Sequence, residues 1–167
     1  MNEKVIKLNK NNILRLAIET NEGNKTGKYL EFDLEDIELP LKYQELVDKD
    51  KKNKEFLRNQ LLIIDKKQDF TKKGQFLSNN EKEKIKAINN FFNKEVEIYN
   101  MFLGENGVQK LLNGRKIGWT TLQEIDDIIG KQIQPYLETN MKDITELVKE
   151  KYGKGIVKDK EQVEVIE

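Results

Sequence analysis

The sequence predicts a mostly helical α+β protein, in which a small N-terminal β-hairpin packs on a helical bundle of three to five helices. Two N-terminal segments alternate apolar with polar residues, whereas later apolar residues recur every three or four positions. Glycine, proline and asparagine mark the turns between segments. The predicted boundaries place the hairpin in residues 1–38, a helical domain in 39–153 and a charged tail in 154–167. That tail is either disordered or a strand that adds to the sheet edge of a partner.

The predicted hairpin consists of residues 13–19 and 29–34, which have the two-residue period of half-buried strands. The side chains expected on its buried face are Leu14, Leu16 and Ile18 in the first strand and Leu30, Phe32 and Leu34 in the second. Residues 20–28 are rich in Asn and Gly, which favour turns. A lone hairpin is marginal in water, so we expect its apolar face to pack on a helix or on another subunit.

The first long helix begins just before Pro40, because proline fits the first helical turn, where a missing amide proton costs little. Its charged run, residues 48–54, is either a solvated helix face or a break into two helices. Residues 65–77 show little periodicity. They predict a connecting loop, with Phe70 or Phe76 packed against the bundle.

The second long helix begins after Ser78, which forms the sequence pattern of a capping box with Glu81. Gly104 is placed to end this helix in a left-handed cap. Apolar residues at steps of three or four predict its buried face, which consists of Ile85, Ile88, Phe92, Val96, Tyr99 and either Phe102 or Leu103.

A short helical turn is predicted for residues 108–112, followed by a tight turn at Asn113 and Gly114. Thr121 with Glu124 then forms a second capping-box pattern, which predicts the start of another helix. The apolar face expected on that helix consists of Leu122, Ile125, Ile128, Ile129 and Ile133.

Pro135 is expected to end or kink this helix, because proline lacks an amide proton and its ring crowds the preceding turn. A last amphipathic helix then covers residues 144–152, with Leu147 and Val148 among its apolar residues, and closes at Gly153.

Composition excludes several classes of function. Thirty Lys plus Arg balance thirty Asp plus Glu, so the chain lacks the positive excess that nucleic-acid binders carry. The absence of Cys excludes a disulfide framework, and the absence of His removes the commonest general base and metal ligand. A polar start and the lack of a long apolar run predict neither a signal peptide nor a membrane span. We expect a cytoplasmic protein that binds no nucleic acid and no membrane.

Two patterns superficially suggest ligand sites. The acidic stretch Asp33, Glu35, Asp36 and Glu38 lacks the glycine and the ligand spacing of a calcium loop. Three glycines precede Arg115 and Lys116, but their spacing does not match the GxxxxGK[ST] phosphate loop. We predict no metal, no cofactor and no catalytic residue. An enzyme or nucleotide binder would have only Arg115 and Lys116 as its anion site.

Four apolar residues are the candidate partner-binding residues, namely Phe91, Phe102, Leu112 and Trp119. A single tryptophan beside amphipathic helices belongs either to the core or to an interface. Phe91 and Phe92 are neighbours on a helix and point about 100° apart, so both cannot face one narrow core. One of them is expected to meet the hairpin or a second subunit.

The segment FLGENGVQKLLNGRKIGWTTLQEIDDII, residues 102–129, resembles small tail assembly chaperones of tailed phages that infect Gram-positive bacteria. In that family a helix ends at an acidic turn similar to FGEGTAEKIFGG, and a last amphipathic helix follows. The corresponding residues here are Phe102, Gly104, Glu105, Gly107, Lys110, Leu112 and Gly114. The N-terminal side is similar in outline, since Phe32-Asp33-Leu34 precedes an acidic step and a long helix opening with Tyr43 and Leu46.

This resemblance implies a non-enzymatic phage protein that self-associates and binds the tape-measure protein during tail morphogenesis. Such a chaperone covers exposed apolar stretches of a long helical partner by laying amphipathic faces into grooves. The resemblance carries over no catalytic residue. The alternative is a small phage or mobile-element protein that binds and inhibits a host protein.

Overall fold

The computed structural model describes residues 12–163, with side chains described up to residue 153. The elements are strands β1 (Ile13–Glu19) and β2 (Lys25–Asp33), helices α1 (Leu39–Asp65), α2 (Asn79–Leu103), α3 (Gly107–Leu112) and α4 (Trp119–Ile128), a π-helical segment (Ile129–Ile133) and α5 (Gln134–Val163). The predicted fold class, mostly α with a small N-terminal hairpin, is confirmed. The chain forms two compact units, with the boundary after Ile125.

The hairpin is antiparallel, and Leu16 pairs with Leu30 in its register. Its predicted apolar face is confirmed, because Ile18, Leu30 and Phe32 are buried and the remaining members are half-buried. The second strand begins at Lys25, earlier than predicted, since the turn between the strands is short and the Thr26 hydroxyl donates a hydrogen bond to the Ile18 carbonyl (2.7 Å).

The buried face of the hairpin packs on the helices of the first unit. The Phe32 ring lies 5.5 Å from the Phe102 ring of α2, and the Tyr43 ring of α1 lies 5.6 Å from Phe102 on another side. Phe102 therefore joins β2, α1 and α2, and the hairpin gains the helical support that a two-stranded sheet requires.

Helix α1 is continuous through residues 48–54, which settles the two alternatives in favour of one helix. The run is not uniformly solvated, because Asp50 and Asn53 are partly buried and lie on the side of α1 that faces α2. The charged run thus supplies polar side chains to the helix pair as well as a solvated face.

The connection from α1 to α2 corrects one prediction. Phe70 and Phe76 are 54% and 96% exposed, so neither packs against the bundle. Polar contacts hold the loop instead. The Asn80 amide group donates to the carbonyls of Ile64 (3.1 Å) and Lys67 (3.0 Å), and the Asp69 carboxylate accepts from the Asn80 backbone N–H (3.0 Å). These hydrogen bonds satisfy free groups at the end of α1 and the start of α2.

The capping box of α2 is confirmed, since the Ser78 hydroxyl accepts from the Glu81 N–H and the Glu81 carboxylate accepts from the Ser78 N–H. The buried stripe is displaced from the predicted one. Ile85 is exposed, Ile88, Phe92 and Val96 are half-buried, and the fully buried apolar residues are Ala87, Phe91, Ile98, Tyr99, Phe102 and Leu103. Helix α2 has neighbours on two sides, so the most buried positions lie between the faces that a single stripe would predict. Gly104 has φ +94° as expected, but its ψ of 178° is extended rather than left-handed.

Helix α4 begins at Trp119, two residues before the predicted cap. The Thr121 hydroxyl accepts from the Gly118 N–H (2.8 Å), so Thr121 is a residue of the first turn that reaches back, and the predicted capping box with Glu124 is wrong. Glu124 pairs with Arg115 instead (3.4 Å). The expected apolar face is confirmed, with Leu122, Ile125, Ile129 and Ile133 buried and Ile128 half-buried.

The α-helix that was predicted to end or kink at Pro135 ends earlier, at Ile128. A π-helical segment follows α4 directly, and α5 begins at Gln134 with Pro135 as its second residue. Helix α5 continues past Gly153 to Val163, so the predicted helix end at Gly153 is wrong, and helix occupies the predicted tail up to Val163. Residues 164–167 lie outside the described residues. Across the described part of the chain, no helix is long and apolar enough to cross a bilayer.

Candidate protein-binding groove

One side of the α1–α2 pair is an open groove. Three cavities of about 660, 310 and 320 Å³ follow one another along the two helices. Neighbouring cavities share walls: the first two share Asn53, Phe56 and Lys94, and the last two share Gln60 and Ala87 among others. They therefore form one continuous feature, here called the α1–α2 groove. It extends from Lys49 of α1 to Lys67, two residues past the end of that helix, about 27 Å at the helical rise.

The floor of the groove is apolar. It is formed by the buried side chains of Leu57, Ile64, Ala87, Phe91 and Ile98. Three large apolar side chains line it and remain mostly exposed, namely Phe56 (60%), Ile63 (60%) and Met101 (57%). Large apolar side chains concentrated in a concave surface are typical of a site that binds another apolar surface.

Lysines line both walls of the groove. On the α1 side these are Lys49 and Lys52 of the helix and Lys67 just after its end, and on α2 they are Lys86 and Lys94. Two glutamates also line it, Glu83 and Glu97, and each pairs with one of the lysines. The Lys67 ammonium lies 2.7 Å from the Glu83 carboxylate and lowers its pKa. The groove therefore carries a positive excess within a chain whose formal net charge is zero.

A polar cluster lies between the two helices at the middle of the groove. Glu95 on α2 is completely buried, and its Oε1 accepts a hydrogen bond from the Asn53 amide of α1 (2.6 Å). The same amide group contacts the Phe91 carbonyl (3.2 Å). Glu95 Oε2 and Asp50 Oδ1 are both buried and neither has a donor when both groups are ionised. Asp50 also forms an ion pair with Lys54, whose Nζ lies 2.9 Å from Asp50 Oδ2.

Burial is the main cause that raises the pKa of Glu95 to about 8; the neighbouring Asp50 carboxylate contributes to the rise, and the Asn53 hydrogen bond opposes it. Protonated Glu95 donates to Asp50, which provides a partner for both of the orphaned oxygens. At neutral pH Glu95 therefore keeps its proton. Glu95 is completely buried and the Asp50 side chain is 19% exposed, so the pair joins α1 to α2 within the helix pair.

Three of the four sequence-predicted partner residues lie in the core. Phe91, Phe102 and Leu112 are all under 10% exposed, so their side chains are committed to packing within this fold. Phe91 lines the floor of the α1–α2 groove, which makes it the one member of the three that borders a candidate site.

Trp119 is different, since it is 54% exposed. One face of its ring packs on α2, at centroid distances of 5.2 Å from Phe91 and 4.7 Å from Phe92, and its other parts reach solvent. Trp119 therefore packs only partly in the core, and a role of its exposed part in an interface stays a prediction. Phe91 and Phe92 both contact this ring, and the hairpin packs elsewhere on α2, at Phe102.

The glycine-rich junction between α2 and α4 has a structural role, since it allows α3 to pack closely against α2. A Cβ on Gly107 would lie 2.5 Å from the Leu103 Cβ, so only glycine allows α3 to start this close to α2. The Asn100 side chain accepts from the Val108 N–H (2.8 Å) and caps the start of α3. Arg115 hydrogen-bonds the Leu112 carbonyl and pairs with Glu124, so it is already held by this chain's own groups.

The acidic stretch before α1 also has a structural use. Asp33 accepts from the Glu35 N–H (3.0 Å) and Asp36 accepts from the Glu38 N–H (3.0 Å), which fixes two successive turns. Lys42 donates to Asp36 and lowers the pKa of the Asp36 carboxyl. Among the residues described, no cluster of three acidic side chains is arranged to hold a metal ion.

Comparisons with known protein families, with curated proteins and with solved structures find no match to this chain. The groove itself was missed by the sequence reasoning. The sequence pattern that could have indicated the groove is the pair Phe56 and Ile63, which lie seven residues apart on α1 and outside the buried positions. Lys52 lies one helical turn before Phe56, and Lys67 follows Ile63 by the same spacing.

Proposed function

We propose that this protein acts without catalysis, by binding a helical segment of a larger protein in the α1–α2 groove. The observation that carries this proposal is the exposure of Phe56, Ile63 and Met101 within one concave, apolar-floored surface. A groove about 27 Å long matches a helix of about 18 residues. Such a helix would bind through its own apolar side chains, spaced three or four residues apart, which is the common mode of helix-in-groove recognition.

The biological role that we propose is that of a phage tail assembly chaperone, which binds the tape-measure protein in the host cytoplasm and keeps its apolar stretches covered. The resemblance of residues 102–129 to that family supports the role. The geometry supports it through the groove, since a long helical partner with exposed apolar stripes is the kind of protein that such a surface would bind. Self-association, which the resemblance also implies, belongs to the same proposal and is measured by light scattering.

Co-expression with a helical fragment of a tape-measure protein tests the proposal. The soluble yield of the fragment should rise with the wild-type chain and fall back with the double variant Phe56→Ser/Ile63→Ser. Both side chains are 60% exposed, so their loss should leave the fold intact. The matched control is Leu41→Ser/Leu62→Ser, which removes two similarly exposed apolar side chains of α1 that do not line the groove.

An unchanged yield of the fragment with and without the wild-type chain would contradict the chaperone role. If the groove variant and the control variant raised the soluble yield of the fragment equally, the binding surface would lie outside the groove. Substitutions of Phe102 or Leu112 would be uninformative in this assay, because those buried side chains hold the fold together.

A further inference from the structure

The charge of the groove points to the chemistry of its occupant. We infer that the α1–α2 groove selects an amphipathic helix whose apolar stripe is flanked on both sides by Asp or Glu. This inference rests on the proposed function in one respect, that the groove binds a helix, and it adds what that helix is made of.

The first step is the sign of the walls. Five lysines and two glutamates line the groove: three of the lysines lie on the α1 side, and the other two lie on α2 together with both glutamates. On α2, Glu83 pairs with Lys67 of the α1 side and Glu97 pairs with Lys94, so Lys86 is the lysine of that wall without an ion pair among the described side chains. A helix seated on the apolar floor would have one flank against each wall. Acidic residues on both flanks would therefore find lysines to face, whereas lysines there would face Lys52 on one wall and Lys86 on the other, since Glu83 and Glu97 are already paired.

The second step is to identify the groove lysines that are not already held in an ion pair and can bind acidic residues of a partner. Lys67 and Lys94 are paired with Glu83 and Glu97 across short distances, 2.7 and 3.0 Å. Lys52 and Lys86 lie on opposite walls, and neither has an ion pair among the side chains that the structure describes. Binding an acidic helix would give these two lysines partners without breaking an existing pair, so they should carry most of the charge selectivity.

The third step separates a protein helix from a nucleic acid, which would also favour lysine walls. Single strands bind along grooves that carry several aromatic side chains on which bases stack. Here Phe56 is the one exposed aromatic side chain lining the groove, and the floor beside it is mostly aliphatic. The aliphatic floor favours a helix with an apolar stripe.

Two synthetic helical peptides of about 18 residues test the inference. They share one apolar stripe and differ only in carrying Glu or Lys at the flanking positions. With the intact chain, fluorescence anisotropy should show binding of the Glu peptide, weakening as salt is raised, and at least about tenfold weaker binding of the Lys peptide. A single-stranded dT20 oligonucleotide serves as the third probe.

The charge reversal Lys52→Glu/Lys86→Glu should remove or invert the preference for the Glu peptide. The control Lys51→Glu/Lys116→Glu changes net charge equally at two exposed lysines outside the groove and should keep the preference. Both variants are checked by circular dichroism, so a loss of fold is distinguished from a loss of selectivity.

Equal affinity for the two peptides, no binding of either, or tighter binding of dT20 would overturn the inference. Light scattering that shows a dimer which the Glu peptide cannot dissociate would do so too, because a second copy would then occupy the groove. The outcome is independent of the chaperone test: selective binding of the Glu peptide without rescue of a tape-measure fragment would keep the inference and reject the proposed role. Rescue without charge selectivity would do the reverse.

Discussion

Replacing Glu95 by glutamine should make the stability of this protein nearly independent of pH between about 5 and 9, where the wild-type chain loses stability. The reason is the buried proton that Glu95 shares with Asp50 between α1 and α2. Glutamine has the shape of a protonated glutamate. Its carbonyl can accept from the Asn53 amide, and its amino group can donate to Asp50, so Glu95→Gln reproduces the neutral state without the titration.

The sign follows from the raised pKa. Folded Glu95 holds its proton up to about pH 8, whereas the ordinary value is 4.5, so the folded state binds more protons than the unfolded state between those limits. Its contribution is fully present below pH 4.5 and is lost as pH rises toward 8. At about 1.4 kcal/mol for each pH unit, the total loss is at most about 5 kcal/mol. That loss is large beside the roughly 5–15 kcal/mol that stabilises a typical domain.

Urea denaturation followed by circular dichroism, at intervals from pH 5 to pH 9, measures this effect. The wild-type free energy of unfolding should fall with pH, and the curve of Glu95→Gln should stay flatter and exceed it above pH 8. Glu97→Gln is the control, because that exposed glutamate of the same helix should leave the wild-type slope unchanged. Parallel curves for the wild type and Glu95→Gln would refute the shared proton, as would a Glu95→Gln variant that is less stable at pH 9.

Two further substitutions test how the helices are joined. Asn80→Ala should lower the free energy of unfolding by about 1–3 kcal/mol, because the carbonyls of Ile64 and Lys67 lose their donor; a loss below about 0.5 kcal/mol in urea denaturation would show that water replaces it. Gly107→Ala should cost about 1–3 kcal/mol through the contact of its Cβ with Leu103. Gly118→Ala, where a Cβ meets open space, is its control, and equal melting temperatures for the two variants would contradict the packing argument.

The features that the sequence predicted correctly are those decided by nearby residues. The two-residue alternation of the hairpin and the box formed by Ser78 and Glu81 are local, since each depends on side chains a few positions apart. The second capping-box pattern failed for an equally physical reason. Thr121 had a nearer donor in Gly118, and Glu124 had a cationic partner in Arg115, so neither group was left for the other.

The periodicity of apolar residues does not show which helices become neighbours, so it could not predict which residues are buried between them. Helix α2 packs against α1 and also against Trp119, so its most buried residues fall between two faces, and Phe91 rather than Phe92 reaches the core. Glu95 looks like a surface residue in the sequence. It becomes the most buried ionisable group among the described side chains only because Asn53 and Asp50 lie opposite it on α1.

The open groove follows from how this composition is distributed over α2. Hydrophobic residues make up 37% of the chain and charged residues 36%, which leaves few large side chains for covering helices on every side. On the side of Phe92 the Trp119 ring covers α2, and near its end the hairpin covers Phe102. On the remaining side no element of the described first unit lies over the floor between α1 and α2, and lysine stems and three exposed apolar side chains border it instead. Lysines can cover apolar surface with their aliphatic stems while keeping their charges in water, so the groove is stable when it is exposed to solvent. An acidic helix that displaces this water would still add favourable contacts with the lysine charges and the apolar floor.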